Sequence, residues 1–596
     1  MPLAAARPAW EFRFTRGLCH GALQLPLAVV TISELVRGWR PTSDDANIAM
    51  RASQVFTAHS PMVGQFTQAT QNGHHPTYDL GPLLYWVLAV PVRIDAQQGV
   101  LWGSALFLSL AMVLVVEAAW SVGRRPATIA ATALMATVLI AEPRLVADPA
   151  WNPYVATVWT MVAAAAAWAL ANGHARWLPV LVLACSVASQ SHLAAVIPSA
   201  VLVVVGIGLG IGPPVVAAIR GRSGHGNLLS AFRSRFGHLS STGGGPDASP
   251  TGERSGAGSD PSAPLAPWAR PAMVAGAVAL ACWFVPLLQQ VTASPGNISL
   301  LLHGVSDGPS FGLVHGLDAM GSTIVPWPVW LDGHQATTFF GALVAIDRPG
   351  LVLSLVALTP LVAVAALRRV FGPVQSSAAL IVLLVVLADA ATVAAIPMSG
   401  LLNVVYLFPI EWPAGIAAVV LTAIAAGRLV AWAAPRLMAR IDAGIHLRAR
   451  VRRRWARLAG TVGLVVSGAL VVTSTGPLVT RAWPAPPTLG GWQAVDNVKA
   501  VSGYLERVLP KGPFLLRTPG GGTIADYEVI FGVAWQLHVD GRQVHLVSGQ
   551  AAYASATLAP PPSGTATTVY VHDAGERAAV LVEEGGRPVA ARTFPA

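Results

Sequence analysis

Apolar residues in this chain fall in long stretches of about 20, the length that carries an α-helix across a bilayer. They lie at about 18–37, 100–121, 127–142, 151–171, 177–197, 198–218, 271–290, 349–367, 376–396, 405–427 and 459–477, which predicts an all-α polytopic membrane bundle of about 11 transmembrane helices. Arginines punctuate the pattern on alternate turns. With Arg7, Arg13 and Arg16 on the cytoplasmic side, the later turns of that side hold Arg124 and Arg125, His174 with Arg176, Arg220 to Arg270, Arg368 and Arg369, and Arg428 to Arg457. The opposite loops hold few, as the bias of cytoplasmic loops toward Lys and Arg requires. The segment 80–94 (LGPLLYWVLAVPVRI) is apolar but short and carries two prolines. Counted as a span, it would move Arg124 and Arg125 outside, so it reads as a re-entrant or interfacial helix.

These stretches divide the chain. Residues 1–220 form an N-terminal membrane core whose first outer loop is 38–99. Residues 221–267, rich in Gly, Ser and Pro, read as a disordered cytoplasmic linker. Residues 268–477 form a second membrane bundle with an outer loop at 291–348, and 478–596 a small α/β domain on the outer side. In that last part VIFGVAWQLHV, RQVHLV, TTVYVHD and AAVLVEE read as strands between Gly and Pro turns. The basic run Arg436 to Arg457 reads as a helix lying on anionic headgroups.

Composition narrows the class. Only 11% of the 596 residues are charged and 54% are hydrophobic, against about 25% charged in ordinary soluble domains. Net charge is +10 and the pI about 10.1, yet the bases sit beside apolar runs, the signature of membrane topology and not of nucleic-acid binding. Lys499 and Lys511 are the only lysines, and the Ala- and Val-rich composition suggests a high-GC, actinobacterial genome. Cys19, Cys185 and Cys282 are far apart, with neither metal-ligand spacing nor a disulfide framework. The first apolar stretch contains Glu34 and lacks a small-residue cleavage site, so it reads as a retained helix.

Polar chemistry is concentrated on the outer side. Asp44 and Asp45 follow the first span directly. Two adjacent carboxylates at a membrane boundary need solvent, a cation or a proton-transfer role. A carboxylate there can accept the proton of an attacking hydroxyl, or the pair can hold a divalent cation against a phosphate. An isolated Asp-Asp is more simply a solvated turn. Here, however, the loop goes on to Arg51, His59, His74, His75 and Asp79. Arginine suits phosphate through paired hydrogen bonds, and neutral histidine orients a hydroxyl or ligates metal. A second cluster holds Glu142, Arg144, Asp148, Trp151, Asn152 and Tyr154; a third holds Ser189, Gln190 and His192; a fourth holds Trp283, Pro286, Gln289 and Gln290. Interhelical hydrogen bonding and interfacial anchoring account equally for the last two. No phosphate-binding Gly-rich loop, nucleophile elbow or zinc-protease helix is present in the sequence.

In order, the segments SDDANIAMRASQVFTAHSPMVGQF, HHPTYDLGPLLYWVLAVPVRI, DPAWNPY, SQSHL and WFVPLLQQVTASPGN resemble the GT-C superfamily of integral-membrane glycosyltransferases, and within it a group of actinobacterial membrane proteins. The resemblance covers about residues 20–300 and rests on layout beyond them. It implies a polyprenyl-phosphate sugar donor, transfer on the periplasmic face to a cell-envelope glycan or glycolipid, and a catalytic acid at Asp44 with Asp45 as neighbour or metal partner. It places a second acidic motif at Asp148. Where the group often has Gly-Pro after its His-Pro step, in this chain Pro76 is followed by Thr77, Tyr78, Asp79 and Leu80 before the Gly81-Pro82 pair.

The expected enzyme is therefore a GT-C-type glycosyltransferase of the plasma membrane, with the N-terminus cytoplasmic and the C-terminal domain periplasmic. The expected substrate-binding residues are Arg51, His74, His75, Asp148, Trp151, Asn152, Gln190, His192 and Gln289. The superfamily has metal-dependent and metal-independent members, so a divalent cation (Mg, Mn or Ca) at Asp44 and Asp148 stays open. The apolar groove beside 80–94 would take the polyprenyl tail. Two other readings remain: a flippase for a lipid-linked sugar, which needs polar groups at the bilayer midplane, and a cell-envelope assembly subunit that binds through its C-terminal domain.

Overall fold

The computed structural model describes residues 9–67, 76–222, 266–304, 309–325, 328–332, 350–396, 411–445, 491–509, 512–519, 524–559, 567–573 and 577–594. His74, His75, the span at 459–477, nearly all of the linker and much of the 291–348 loop lie outside them.

The N-terminal half runs α1 (Ala9–Val36), α2 (Ser43–Gln54), a small antiparallel ladder of β1 (Phe66–Thr67) and β2 (Thr77–Tyr78), α3 (Leu83–Ile94), α4 (Gly99–Ala141), α5 (Arg144–Ala147), α6 (Asn152–Ala171), α7 (Leu178–Ser191) and α8 (Val196–Arg222). The second bundle adds α9 (Ala266–Thr292), α10 (Asn297–Gly304), α11 (Gly312–Ser322), α12 (Val329–Asp332), α13 (Leu351–Ala366), α14 (Arg368–Phe371), α15 (Pro373–Ala395) and α16 (Trp412–Ile445). Among the described residues, 7 helices are long and apolar enough to cross a membrane, and the chain reads as a multi-pass membrane protein. The stretches expected at 100–121 and 127–142 are two helical segments of α4, separated at Arg124, whose backbone is not helical (φ 52°, ψ −137°), just before Pro126. Proline has no N–H to give the preceding turn, which accounts for a break at this point.

Two expected spans come out short. α13 has 16 residues. α7 ends after 14 residues because His192 is extended (φ −156°, ψ 136°) and its Nδ1 accepts the N–H of Ala194 at 3.2 Å. The segment at 80–94 contains the 12-residue helix α3, too short to span, in line with the re-entrant reading.

The C-terminal part runs α17 (Gly491–Val508), β3 (Phe514–Arg517), α18 (Ile524–Val539), β4 (Val544–Leu546), α19 (Ser548–Ala554), β5 (Thr567–Asp573), β6 (Ala578–Glu584) and β7 (Arg587–Phe594). Its sheet has the order β4-β3-β5-β6-β7, with β3 parallel to β4 and β5 and the last two strands antiparallel. One expectation is corrected: VIFGVAWQLHV is not a strand but most of α18. A continuous apolar run does not distinguish a buried strand from a helix buried all round. Val529, Ile530, Val533, Ala534 and Leu537 are all fully buried, between the sheet and α2.

Helices α4, α6, α15 and α16 leave a cavity of about 880 Å³ between them. Its walls combine larger aliphatic side chains with alanines and glycines, among them Ala119, Gly123, Ala164, Ala378 and Ala417.

Candidate active site

Helix α2 sets the geometry. Ser43 takes a left-handed backbone (φ 45°) immediately before Asp44 and Asp45, which occupy the first turn of α2, where the helix dipole favours carboxylates. A non-glycine residue in that region costs free energy and persists only when its surroundings hold it there.

Asp44 is half-buried, and both of its oxygens accept hydrogen bonds. Gln65 Nε2 donates to Oδ1 and Trp151 Nε1 to Oδ2, each at 2.9 Å. Gln65 turns its amide nitrogen to Asp44 Oδ1, and its Oε1 accepts the Tyr85 hydroxyl at 2.9 Å. Asp45 points inward and is 4% exposed. Its carboxyl meets that of Asp148, with Asp44 and Glu34 close enough to add repulsion. Burial, then these like charges, pushes Asp45 well above the ordinary carboxyl range, and burial raises Asp148 as well. The hydrogen bond between the two carboxyls needs a proton, so the pair keeps one between them. One oxygen of each, Oδ1, is buried without a hydrogen-bond partner.

A second buried carboxyl, Asp79, ties the remaining motifs together. Its Oδ1 accepts the backbone N–H of Leu193 at 3.1 Å and its Oδ2 the amide of Asn152 at 3.0 Å. The same Asn152 amide donates to the carbonyl of Ser191 at 3.0 Å. Burial raises the pKa of Asp79 against the lowering effect of these donors. The loop carrying Gln65 closes on Asp79 through backbone bonds from Asp79 N to Gln65 O and from Gly64 N to Asp79 O. A Cβ at Gly64 would lie 2.7 Å from that of Asp79 and 3.0 Å from the carbonyl oxygens of Gln190 and Gly81, so this close approach requires glycine.

The other predicted residues buttress this centre or lie elsewhere. Gln190 donates to the carbonyl of Cys282 at 2.8 Å, joining α7 to α9. Gln289 accepts the N–H of Asn297 at 3.1 Å, and Asn297 in turn brackets the backbone of Tyr78 with bonds of 3.0 and 2.9 Å. His192 breaks α7 as described. Arg51 faces the C-terminal part: its Nε donates to Ala554 O at 2.7 Å and its Nη2 to Ala552 O at 3.3 Å, while its guanidinium lies 5.4 Å from the Tyr78 ring. Gln54 bonds Ser555 and Thr557 beside it, and Trp535 Nε1 donates to Ala96 O at 2.9 Å. The structure thus brings Asp44, Asp45, Asp148, Trp151 and Asn152 into one centre and adds Gln65, Asp79 and Tyr85 to it.

Among the described residues, no group of three or more His, Cys, Asp or Glu side chains is placed to hold a metal ion, so these residues do not by themselves form a metal cage.

No family model matches the chain, and no curated protein matches it. Among solved structures it is similar to the Archaeoglobus fulgidus oligosaccharyltransferase tethered to an acceptor peptide, at 14% identity and a TM-score of 0.35. The match covers 87% of this chain and 63% of that one, so the chain spans less than two thirds of that protein's length. A likeness at that level assigns neither an activity nor a residue.

Proposed function

We propose that the protein is a GT-C-type glycosyltransferase that moves a sugar from a polyprenyl-phosphate donor to a cell-envelope glycan or glycolipid on the periplasmic face of the plasma membrane. The observation that carries this reading is the convergence of all five sequence segments on one hydrogen-bonded centre around Asp44. In this reading the acceptor hydroxyl attacks the anomeric carbon, the bond from that carbon to the phosphate oxygen breaks, and the hydroxyl proton passes to Asp44. Polyprenyl phosphate leaves. Gln65 and Trp151 hold the Asp44 carboxylate toward the acceptor, and the Asp45–Asp148 pair behind it carries one proton. The donor tail lies along the apolar surface of α3, where Val87, Val90 and Ile94 are exposed.

One observation favours a second reading, a flippase for a lipid-linked sugar: Asp389, deep in α15 and 4% exposed, lines the 880 Å³ cavity. Membranes containing the protein, supplied with a panel of radiolabelled polyprenyl-phosphate sugars with and without chelator, separate the two. Label in a glycan or glycolipid product supports the transferase. Movement of intact donor across vesicles with no product supports the flippase.

A further inference from the structure

The cavity bounded by α4, α6, α15 and α16 is polarised along its length. Small residues on transmembrane helices normally let backbones approach closely. Here Ala119, Ala164, Ala378 and Ala417 line the cavity, and their small side chains leave it room for a chain. Its volume of about 880 Å³ falls in the range of about 300–1,000 Å³ typical of ligand sites.

Arg428 marks one end and Asp389 the other. Gln375, whose Oε1 is buried without a partner, lies at the Arg428 end. It is 14 residues from Asp389 on α15, about 21 Å at 1.5 Å per helical residue. Arg428 Nη1 donates to Phe371 O at 2.6 Å, which places it at α14, where Arg368 and Arg369 are exposed. The turn Arg368–Arg369 and the end of α16 are also the parts of the second bundle that the arginine pattern assigns to the cytoplasm.

We infer that this cavity is a binding site for an anionic phospholipid of the inner leaflet, with its phosphate at Arg428 and an acyl chain running toward Asp389. Charge fixes the orientation. Guanidinium groups pair with phosphate oxygens by charge-assisted hydrogen bonds, and clustered arginines beside a span attract anionic lipid. Among the described lining residues Arg428 is the only cation, so the phosphate sits at its end and the far end is left to the chain.

The test uses the full chain reconstituted in phosphatidylcholine vesicles doped with spin-labelled phosphatidylglycerol or spin-labelled phosphatidylcholine, and reads the immobilised fraction. The wild type is expected to select phosphatidylglycerol, and Arg428→Gln to lose about tenfold in that preference. Ala417→Trp, which fills the cavity, is expected to release both chains while the arginines stay in place. Should Arg428→Gln fail to fold, the surface double variant Arg368→Gln/Arg369→Gln carries the charge arm. Equal immobilisation of the two lipids by the wild type would overturn the inference. So would selectivity that survives Ala417→Trp, or full displacement by inorganic phosphate, since a headgroup site needs no chain cavity.

Discussion

Trp151 donates its indole N–H to Asp44 Oδ2 at 2.9 Å, joining α2 to the loop that precedes α6. Residues 107 positions apart in sequence meet at the carboxylate proposed to take the acceptor proton. Trp151→Phe keeps the ring and removes the donor. A hydrogen bond to a charged group contributes about 1.5–3 kcal/mol, so turnover should fall about ten- to a hundredfold with KM little changed. Steady-state transfer kinetics read this, and a variant with wild-type turnover would remove Trp151 from the centre.

Tyr85 acts on Asp44 only through Gln65. Its hydroxyl donates to Gln65 Oε1 and steadies the amide whose nitrogen faces the carboxylate. Tyr85→Phe should therefore lower turnover less than Gln65→Leu, and the double variant should be no worse than Gln65→Leu alone. Non-additivity of this kind is what residues in one network show. Additive losses would mean that the two act separately.

The buried pair Asp45 and Asp148 makes stability depend on pH in a stated direction. Both carboxyls are raised in the folded protein, Asp148 to about 8, whereas unfolded carboxyls titrate near pH 4. Between those values the folded state binds more protons than the unfolded one, so this contribution is full below about pH 4 and is lost as pH rises toward about 8. The melting temperature should fall over that window, and Asp45→Asn, which stays neutral, should flatten the slope. A slope unchanged by Asp45→Asn would show that the pair is not its source.

Arg51 holds the C-terminal part against α2 through two carbonyls, and the guanidinium of Arg37 stacks 3.8 Å from the Trp492 ring nearby. Arg51→Ala leaves both carbonyls without their donor and should speed proteolytic release of residues beyond 491, while Arg51→Lys should do so less. Limited proteolysis followed by mass spectrometry of the fragments measures it. Equal cleavage of all three proteins would assign the docking to the apolar contacts of α18 instead.

Much of this architecture was legible in the sequence, because a bilayer imposes a length and a charge rule on every span. The turn at Arg124–Arg125 and the short helix α3 followed from those rules. The carboxylates stood out because charge is scarce in this chain. Gln65 and Tyr85 did not: one lies in a loop with no local pattern, and the other is hidden within the apolar run LLYWV. Their roles exist only through tertiary contacts. The contacts of Arg51 were hidden for the same reason, since nothing near it in sequence reveals the carbonyls about 500 residues away that it meets. The helix α18 was mistaken for a strand because burial on all sides erases the periodicity that separates the two.

The account stands most directly on Asp44. The deciding measurement is single-turnover transfer of labelled sugar from polyprenyl phosphate by wild type and by Asp44→Asn, purified to equal amounts with matching melting temperatures. The account predicts product from the wild type and a loss of at least about a hundredfold in Asp44→Asn, the scale at which a positioned general base contributes. Product formed at the wild-type rate by Asp44→Asn would contradict it.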